Sequence, residues 1–176
     1  MNYTKCWLDY KPLAKDKIRP CYLNPVLLAS GEIAQTIAEE YKTAMSVMLG
    51  ETVEMSYEVL EEPSVFMQIQ KEYEFPDEKG KEHSTEVLNQ AFAIYEEEES
   101  IVITGRTETA VLQGVFAFLR MVALDNLSEK MPYYCIPSMT FRMMNHWDDM
   151  DGSIERGYSG RSFFYDDYKI LYNDRT

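Results

Sequence analysis

AFAIYEEEESIVITGRTETAVLQGVFAFLRMV, residues 91–122, decides the fold. Ala91 to Tyr95 and Ser100 to Thr104 read as short strands on either side of Glu96, Glu97, Glu98 and Glu99. Four consecutive acids repel one another, and they read as a solvated hairpin turn, not a metal cluster. Thr107 then caps a helix. Ala110, Val111, Gly114, Val115, Phe118, Leu119 and Val122 form a wide apolar stripe along it. A glycine inside a helix costs about 1 kcal/mol, so Gly114 marks the place where the helix lies close against a sheet. The helix ends near Asp125 and Asn126.

Toward the N-terminus, Leu23 to Ala29 is apolar and leads to Ser30, a candidate helix cap. Ile33, Ile37, Tyr41, Ala44, Met45 and Met48 recur at helical spacing. Glu32 in the first turn suits the helix dipole, and Gly50 is a natural stop. The spacing predicts a helix over 31–49. Val53, Met55, Tyr57 and Val59 alternate with polar residues and predict a strand that Glu61-Glu62-Pro63 breaks. Val65, Met67 and Ile69 predict another. Pro76 to Ser84 is a charged loop containing Gly80. Met131 to Pro137 reads as a linker, with Pro132 and Pro137 as breaks. A further strand is expected near Lys5 to Leu8, and another over 139–144. Two helices on one face of a small mixed sheet make an α+β, two-layer sandwich. No internal repeat is visible.

A chain of 176 residues can bury a core of ordinary size. With 45% hydrophobic and 27% charged residues it is globular. Seventeen basic against thirty acidic residues give a net charge of −13. Nucleic acid and anionic membrane both require a positive face, so neither is an expected partner. Cys6, Cys21 and Cys135 are odd in number and lack CxxC spacing. They read as reduced structural thiols, not as a disulfide framework or zinc site. Met1 to Pro12 has no apolar signal-peptide core, and no run reaches the roughly 20 apolar residues of a membrane span. These features do not fix a location: a bacterial cytoplasm or periplasm is compatible with them.

Asn145 to Arg161, NHWDDMDGSIERGYSGR, gathers His146, Trp147, Asp148, Asp149, Asp151, Glu155, Arg156 and Arg161 with three glycines. It follows the expected strand at 139–144. A loop so rich in functional side chains after a strand reads as part of a binding site. This stretch resembles the segment that opens the catalytic barrel of the glycoside hydrolase family 67 α-glucuronidases, which reads close to NHWDNLDGSIERGYAGRS. Asp149, Met150 and Ser159 are the departures. Trp7-Leu8-Asp9-Tyr10-Lys11-Pro12-Leu13 resembles the opening WLRYxPL of that family. Ile101 to Gly105, leading into Ala110 to Leu119, resembles the end of its N-terminal domain.

The resemblance implies an N-terminal sandwich over 1–136, like the small domain that precedes the barrel in β-hexosaminidases. It makes 137–176 the first strand and loop of a TIM barrel. From Thr140 to Thr176 only 37 residues remain, against roughly 200 or more for a complete barrel. It also implies inverting hydrolysis of α-1,2-linked glucuronic acid, or its 4-O-methyl ether, from xylo-oligosaccharides in xylan degradation, without cofactor or metal. The catalytic carboxylates of such an enzyme lie on later barrel strands, so no catalytic residue is expected within these residues. The chain alone is then inactive.

Trp147 offers a flat apolar face to a sugar ring or methyl ether. Glu155 accepts sugar hydroxyls, Arg156 meets the uronate carboxylate or braces the loop, and Asp148 completes the expected substrate-binding set. Arg161 and His146 read as structural. Asp149-x-Asp151-Gly152 resembles part of a calcium loop, but that register puts Trp147 and Tyr158 at its first and twelfth positions, where neither supplies the required oxygens. There is no P-loop or GxGxxG. A competing reading is a non-catalytic carbohydrate-binding module, or a module that only packs against a barrel. Apolar residues after about 137 that lack partners would leave the tail disordered, or make it pair with the domain's own sheet edge or with a second copy in a non-native way, so a homodimer is a further expectation.

Overall fold

A computed structural model describes residues 10–76, 82–141, 147–154 and 160–171. The chain divides into two compact units, Met1–Thr140 and Phe141–Thr176.

The first unit is a mixed five-stranded sheet with helices. Its elements are β1 Pro25–Leu28, α1 Ala34–Leu49, β2 Val65–Ile69, α2 Thr85–Leu88, β3 Phe92–Glu97, β4 Ser100–Gly105, α3 Glu108–Ala123, α4 Leu127–Lys130 and β5 Tyr133–Cys135. The spatial order is β1-β2-β4-β3-β5. β1, β2 and β4 run parallel, while β3 pairs antiparallel with both β4 and β5. The hairpin between β3 and β4 turns at Glu98 and Glu99, with Glu98 at φ 54°. The acids of this turn are exposed, as self-repulsion requires.

Strand alternation sorts side chains onto two faces. Pairing aligns Leu27, Met67, Ile103, Ile94 and Tyr133 in one row across all five strands. This row joins the core under α1 and α3. The neighbouring row, Leu28, Gln68, Thr104, Ala93 and Tyr134, points the other way. Both long helices are therefore on one side, which makes the two layers. α3 packs on β2, β3 and β4 and against α1. Tyr41 of α1 and Phe118 of α3 stack with ring centroids 6.0 Å apart. The Tyr41 hydroxyl donates to the carbonyl of Tyr22 at 3.1 Å, so this buried phenol has a partner.

Gly114 faces the sheet. A Cβ placed there would stand 2.7 Å from Ile103 Cγ2 and 3.3 Å from Phe92 Cδ2. The close approach read from the sequence is present, and glycine is the residue that permits it. Thr107 caps α3 by accepting from the Ala110 N–H at 3.2 Å. Gly50 ends α1 at φ 74° and donates to the Ser46 carbonyl at 3.0 Å.

Other expectations need correction. α1 is not capped by Ser30. Glu108 from the first turn of α3 accepts from the Ile33 N–H at 3.3 Å, and its carboxylate lies so close to Gly31 that a Cβ there would be 2.3 Å away. A carboxylate at this end also suits the dipole of α1. The run from Val53 to Val59 is not a strand, because it makes only an isolated bridge from Ser56 to Val26, and Tyr57 and Val59 are exposed. The linker from Met131 to Pro137 contains β5, which completes the sheet beside β3. Residues 139–141 are not in a strand, and the remainder of that expected strand, like the one near Lys5 to Leu8, falls outside the described residues. Among the described residues no helix is long and apolar enough to cross a membrane.

Gly114→Val tests the contact between α3 and the sheet. Overpacking costs about 1–3 kcal/mol, while removal of the helical glycine returns under about 1 kcal/mol. A net loss of roughly 2 kcal/mol in chemical denaturation is expected. Unchanged stability would show that α3 does not press on Ile103.

Candidate functional site

The second unit holds the loop that the sequence singled out. Asp148 and Ile154 form an antiparallel bridge, which closes a turn over Asp149 to Ser153. Inside it the Gly152 N–H donates to the Asp149 carbonyl at 3.0 Å, and the Asp149 N–H donates to the Ser153 carbonyl at 2.9 Å. Asp151 Oδ1 accepts from the Ser153 N–H at 2.8 Å, and Asp149 Oδ2 accepts from the Ser153 hydroxyl at 3.0 Å. Asn and Asp side chains reach the backbone two residues on in this way and set tight turns. Gly152 is at φ 89°, and a Cβ there would meet Arg161 at 2.8 Å and the Tyr165 carbonyl at 3.1 Å. Both its backbone conformation and its surroundings require glycine.

A hairpin supports the turn. Its strands are β6 Tyr165–Asp166 and β7 Lys169–Ile170. Asp167 and Tyr168 connect them at φ 45° and 62°, the left-handed pair that a two-residue hairpin needs. The Tyr168 N–H donates to the Met150 carbonyl at 2.8 Å, and the Ser162 N–H donates to the Gly152 carbonyl at 2.9 Å. Arg161 pairs with Asp166 and donates to the Asp151 carbonyl at 3.5 Å.

Ser162 is the junction of these ties. It is 7% exposed. Its hydroxyl donates to Asp148 Oδ2 at 2.5 Å and accepts from the N–H groups of Phe164 and Tyr165 at 2.9 and 3.0 Å. A serine hydroxyl has one proton and two lone pairs, so all its capacity is used and the Asp148 carboxylate is fixed in direction. Trp147 precedes Asp148 and is 47% exposed.

Trp147 and Asp148 are thus neighbours on a braced turn. Glu155, Arg156 and His146 lie outside the described residues. Arg161 sits where a brace would, through Asp166 and a backbone carbonyl. Sequence reading did not single out Ser162. The signal was local: a hydroxyl that can reach the backbone amides two and three residues on is a turn-forming arrangement.

Hydrogen bonds from Ser153 hold the Asp151 carboxyl below its ordinary range. A carboxyl depressed in the folded state stabilises above its unfolded pKa and loses that contribution as pH falls through the folded one. The turn should therefore keep its geometry at neutral pH and loosen in acid. Trp147 emission, read in a Trp7→Phe background, should hold steady from pH 8 to 5 and change below the ordinary carboxylate range. A transition near neutrality would contradict this. Ser162→Ala should raise hydrogen exchange at Phe164 and Tyr165 by roughly tenfold or more, as loss of a hydrogen bond worth about 1.5 kcal/mol requires. Equal exchange in both proteins would remove Ser162 as the junction.

The glycosyl hydrolase family 67 N-terminus matches residues 6–118, and the glycosyl hydrolase family 67 middle domain matches residues 121–176. The probable alpha-glucuronidase A of Aspergillus niger is 29% identical over 171 residues, covering 94% of this chain and 20% of that protein. Alpha-glucuronidase A of Aspergillus tubingensis is 28% identical over the same length, with the same coverage. The probable alpha-glucuronidase A of Aspergillus fumigatus is 44% identical over 70 residues, covering 40% of this chain and 8% of that protein. The chain spans at most about a fifth of the length of these relatives. By its match over most of its residues, the chain belongs to glycosyl hydrolase family 67.

Proposed function

We propose that these residues serve an α-glucuronidase that removes α-1,2-linked glucuronic acid, or its 4-O-methyl ether, from xylo-oligosaccharides by an inverting mechanism in xylan degradation. In this reading residues 1–136 are the N-terminal sandwich and residues 137–176 open the catalytic barrel. The observation that supports it best is the pairing of a half-exposed Trp147 with an oriented Asp148 on a turn braced by Ser162. An indole face beside a fixed carboxylate suits a sugar, whose C–H face is apolar and whose hydroxyls donate. Trp147 carries the ring or the methyl ether, Asp148 and Glu155 accept hydroxyls, and Arg156 meets the uronate. No cofactor or metal takes part.

The chain by itself is inactive in this reading. Inversion needs a general acid and a general base about 6.5–9.5 Å apart with a water between them. Asp148, Asp149 and Asp151 are each engaged in hydrogen bonds that hold the turn. Carboxylates committed in this way bind and brace, and the acid–base pair comes from elsewhere in the enzyme.

Two measurements test this. The 176-residue chain, incubated with xylotriose bearing 4-O-methylglucuronic acid, should release no uronic acid. In the complete gene product the uronic acid should appear first as the inverted anomer by proton NMR, and Trp147→Ala should lower kcat/KM by roughly tenfold or more, the loss of one stacked aromatic contact. Turnover by the chain alone that disappears in Asp148→Asn would overturn its inactivity. Retention of configuration would overturn the mechanism.

A further inference from the structure

The face of the sheet away from α1 and α3 carries a tyrosine cluster outside the loop described above. Tyr73, Tyr95 and Tyr134, with Glu96, Met131 and Pro132, line an open cleft of about 460 Å³. That volume lies within the roughly 300–1,000 Å³ typical of small-ligand sites. Tyr73 and Tyr95 are within 14° of parallel, with centroids 6.4 Å apart. Phe75 meets Tyr73 edge-on at 4.9 Å.

The cluster is held in place by polar contacts as well as by ring packing. Arg106 donates to the Tyr73 carbonyl from Nε at 3.0 Å and from a terminal nitrogen at 2.8 Å. The Gln70 N–H donates to the Gly105 carbonyl at 2.9 Å, and Thr104 Oγ1 donates to Gln70 Oε1 at 3.2 Å. The segment after β2 is thereby clamped on the sheet, and Tyr73 is preorganised. Tyr134 stands on the short edge strand β5 and is 37% exposed.

We propose that this cleft is a second carbohydrate site, which holds the uncharged backbone of a xylan chain. The inference rests on the α-glucuronidase reading for the identity of the sugar. A pyranose presents a flat C–H face to a ring and hydroxyls at its rim, which is the complement of a tyrosine with a neighbouring carboxylate. Charge selects the unsubstituted backbone. Glu96 is the one charged residue that lines the cleft, it is held by Arg19, and the chain carries −13, so nothing in the lining draws in an anionic segment and the overall charge opposes one. Tyr73 and Tyr95 remain neutral donors at any physiological pH. Burial, with Tyr134 and Tyr95 close by, pushes Tyr73 up to about 12, and burial also raises Tyr95.

The experiment is a titration of the labelled 176-residue chain, followed by NMR, with xylohexaose, cellohexaose, glucuronic acid and a proline-rich peptide as separate probes. Xylohexaose should shift the resonances of Tyr73, Tyr95 and Tyr134 saturably. Tyr134→Ala should weaken that binding roughly tenfold, while Trp147→Ala leaves it within about twofold. Tyr134 is on an edge strand, and the shift map of the unaltered chain gives the same answer if the variant does not fold. Absence of xylohexaose shifts at the tyrosines, or shifts there only with cellohexaose or the proline-rich peptide, would overturn the proposal. The uronic-acid release assay separates this result from the activity reading, since a complete enzyme can release uronic acid whether or not the tyrosines bind xylan.

Discussion

Helix α3 can lie on the sheet only because residue 114 has no side chain. Ile103 and Phe92 occupy the space where a Cβ would go, Ile103 on the central strand β4 and Phe92 on its neighbour β3. Once α3 is seated, Phe118 reaches Tyr41 of α1 and Tyr22 from the preceding turn. Glu108, at the other end of the same helix, reaches back to the start of α1. One close approach thus fixes the position of both long helices, and the buried row from Leu27 to Ile94 beneath them follows. The arrangement depends on dispersion at short range, which is lost steeply as surfaces separate.

The polar loop is organised on a different principle. It has little apolar interior of its own, and its geometry comes from hydrogen bonds between carboxylates, hydroxyls and backbone amides. Most are local, such as Asp149 with Ser153 and Asp151 with Ser153. The longer ties run through Ser162 and Arg161. Acidic residues that looked available for chemistry in the sequence are largely spent on the turn. The result is a rigid support for Trp147, and orientation of this kind is what a binding site needs from its surroundings.

The parts legible in the sequence were those with a local, periodic cause. The stripe of α3, the Thr107 cap, the hairpin at Glu98 and the stop at Gly50 each follow from residues a few positions apart. The NHWDDMDG stretch identified the family through its own order of residues. What stayed hidden had a non-local cause. Ser30 satisfied the local rule for a cap, but Glu108 supplies the acceptor from 75 residues away. β5 has only three residues, with Pro132 and Pro137 on either side, and it exists because β3 offers an open edge. Val53 to Val59 alternated correctly, yet the edge of β1 accepts only one bridge from it, at Ser56. Alternation reports a compatible backbone, and pairing decides whether a strand forms.

Strand parity also explains why one domain presents two chemically different faces. Ile94 and Tyr95 are consecutive, so one enters the core and the other stands on the opposite side. Tyr133 and Tyr134 repeat this on β5, where Tyr133 meets Phe92 on the helix side with centroids 6.0 Å apart. The far face thereby acquires tyrosines without cost to the core, because each occupies a position the helices cannot cover. On a chain of charge −13, aromatic hydroxyls are a means of recognition that overall charge does not oppose. The ligand proposed for that face brings flat apolar surface and hydroxyls without negative charge, which separates the demands on the sheet from those on the loop proposed to meet a uronate.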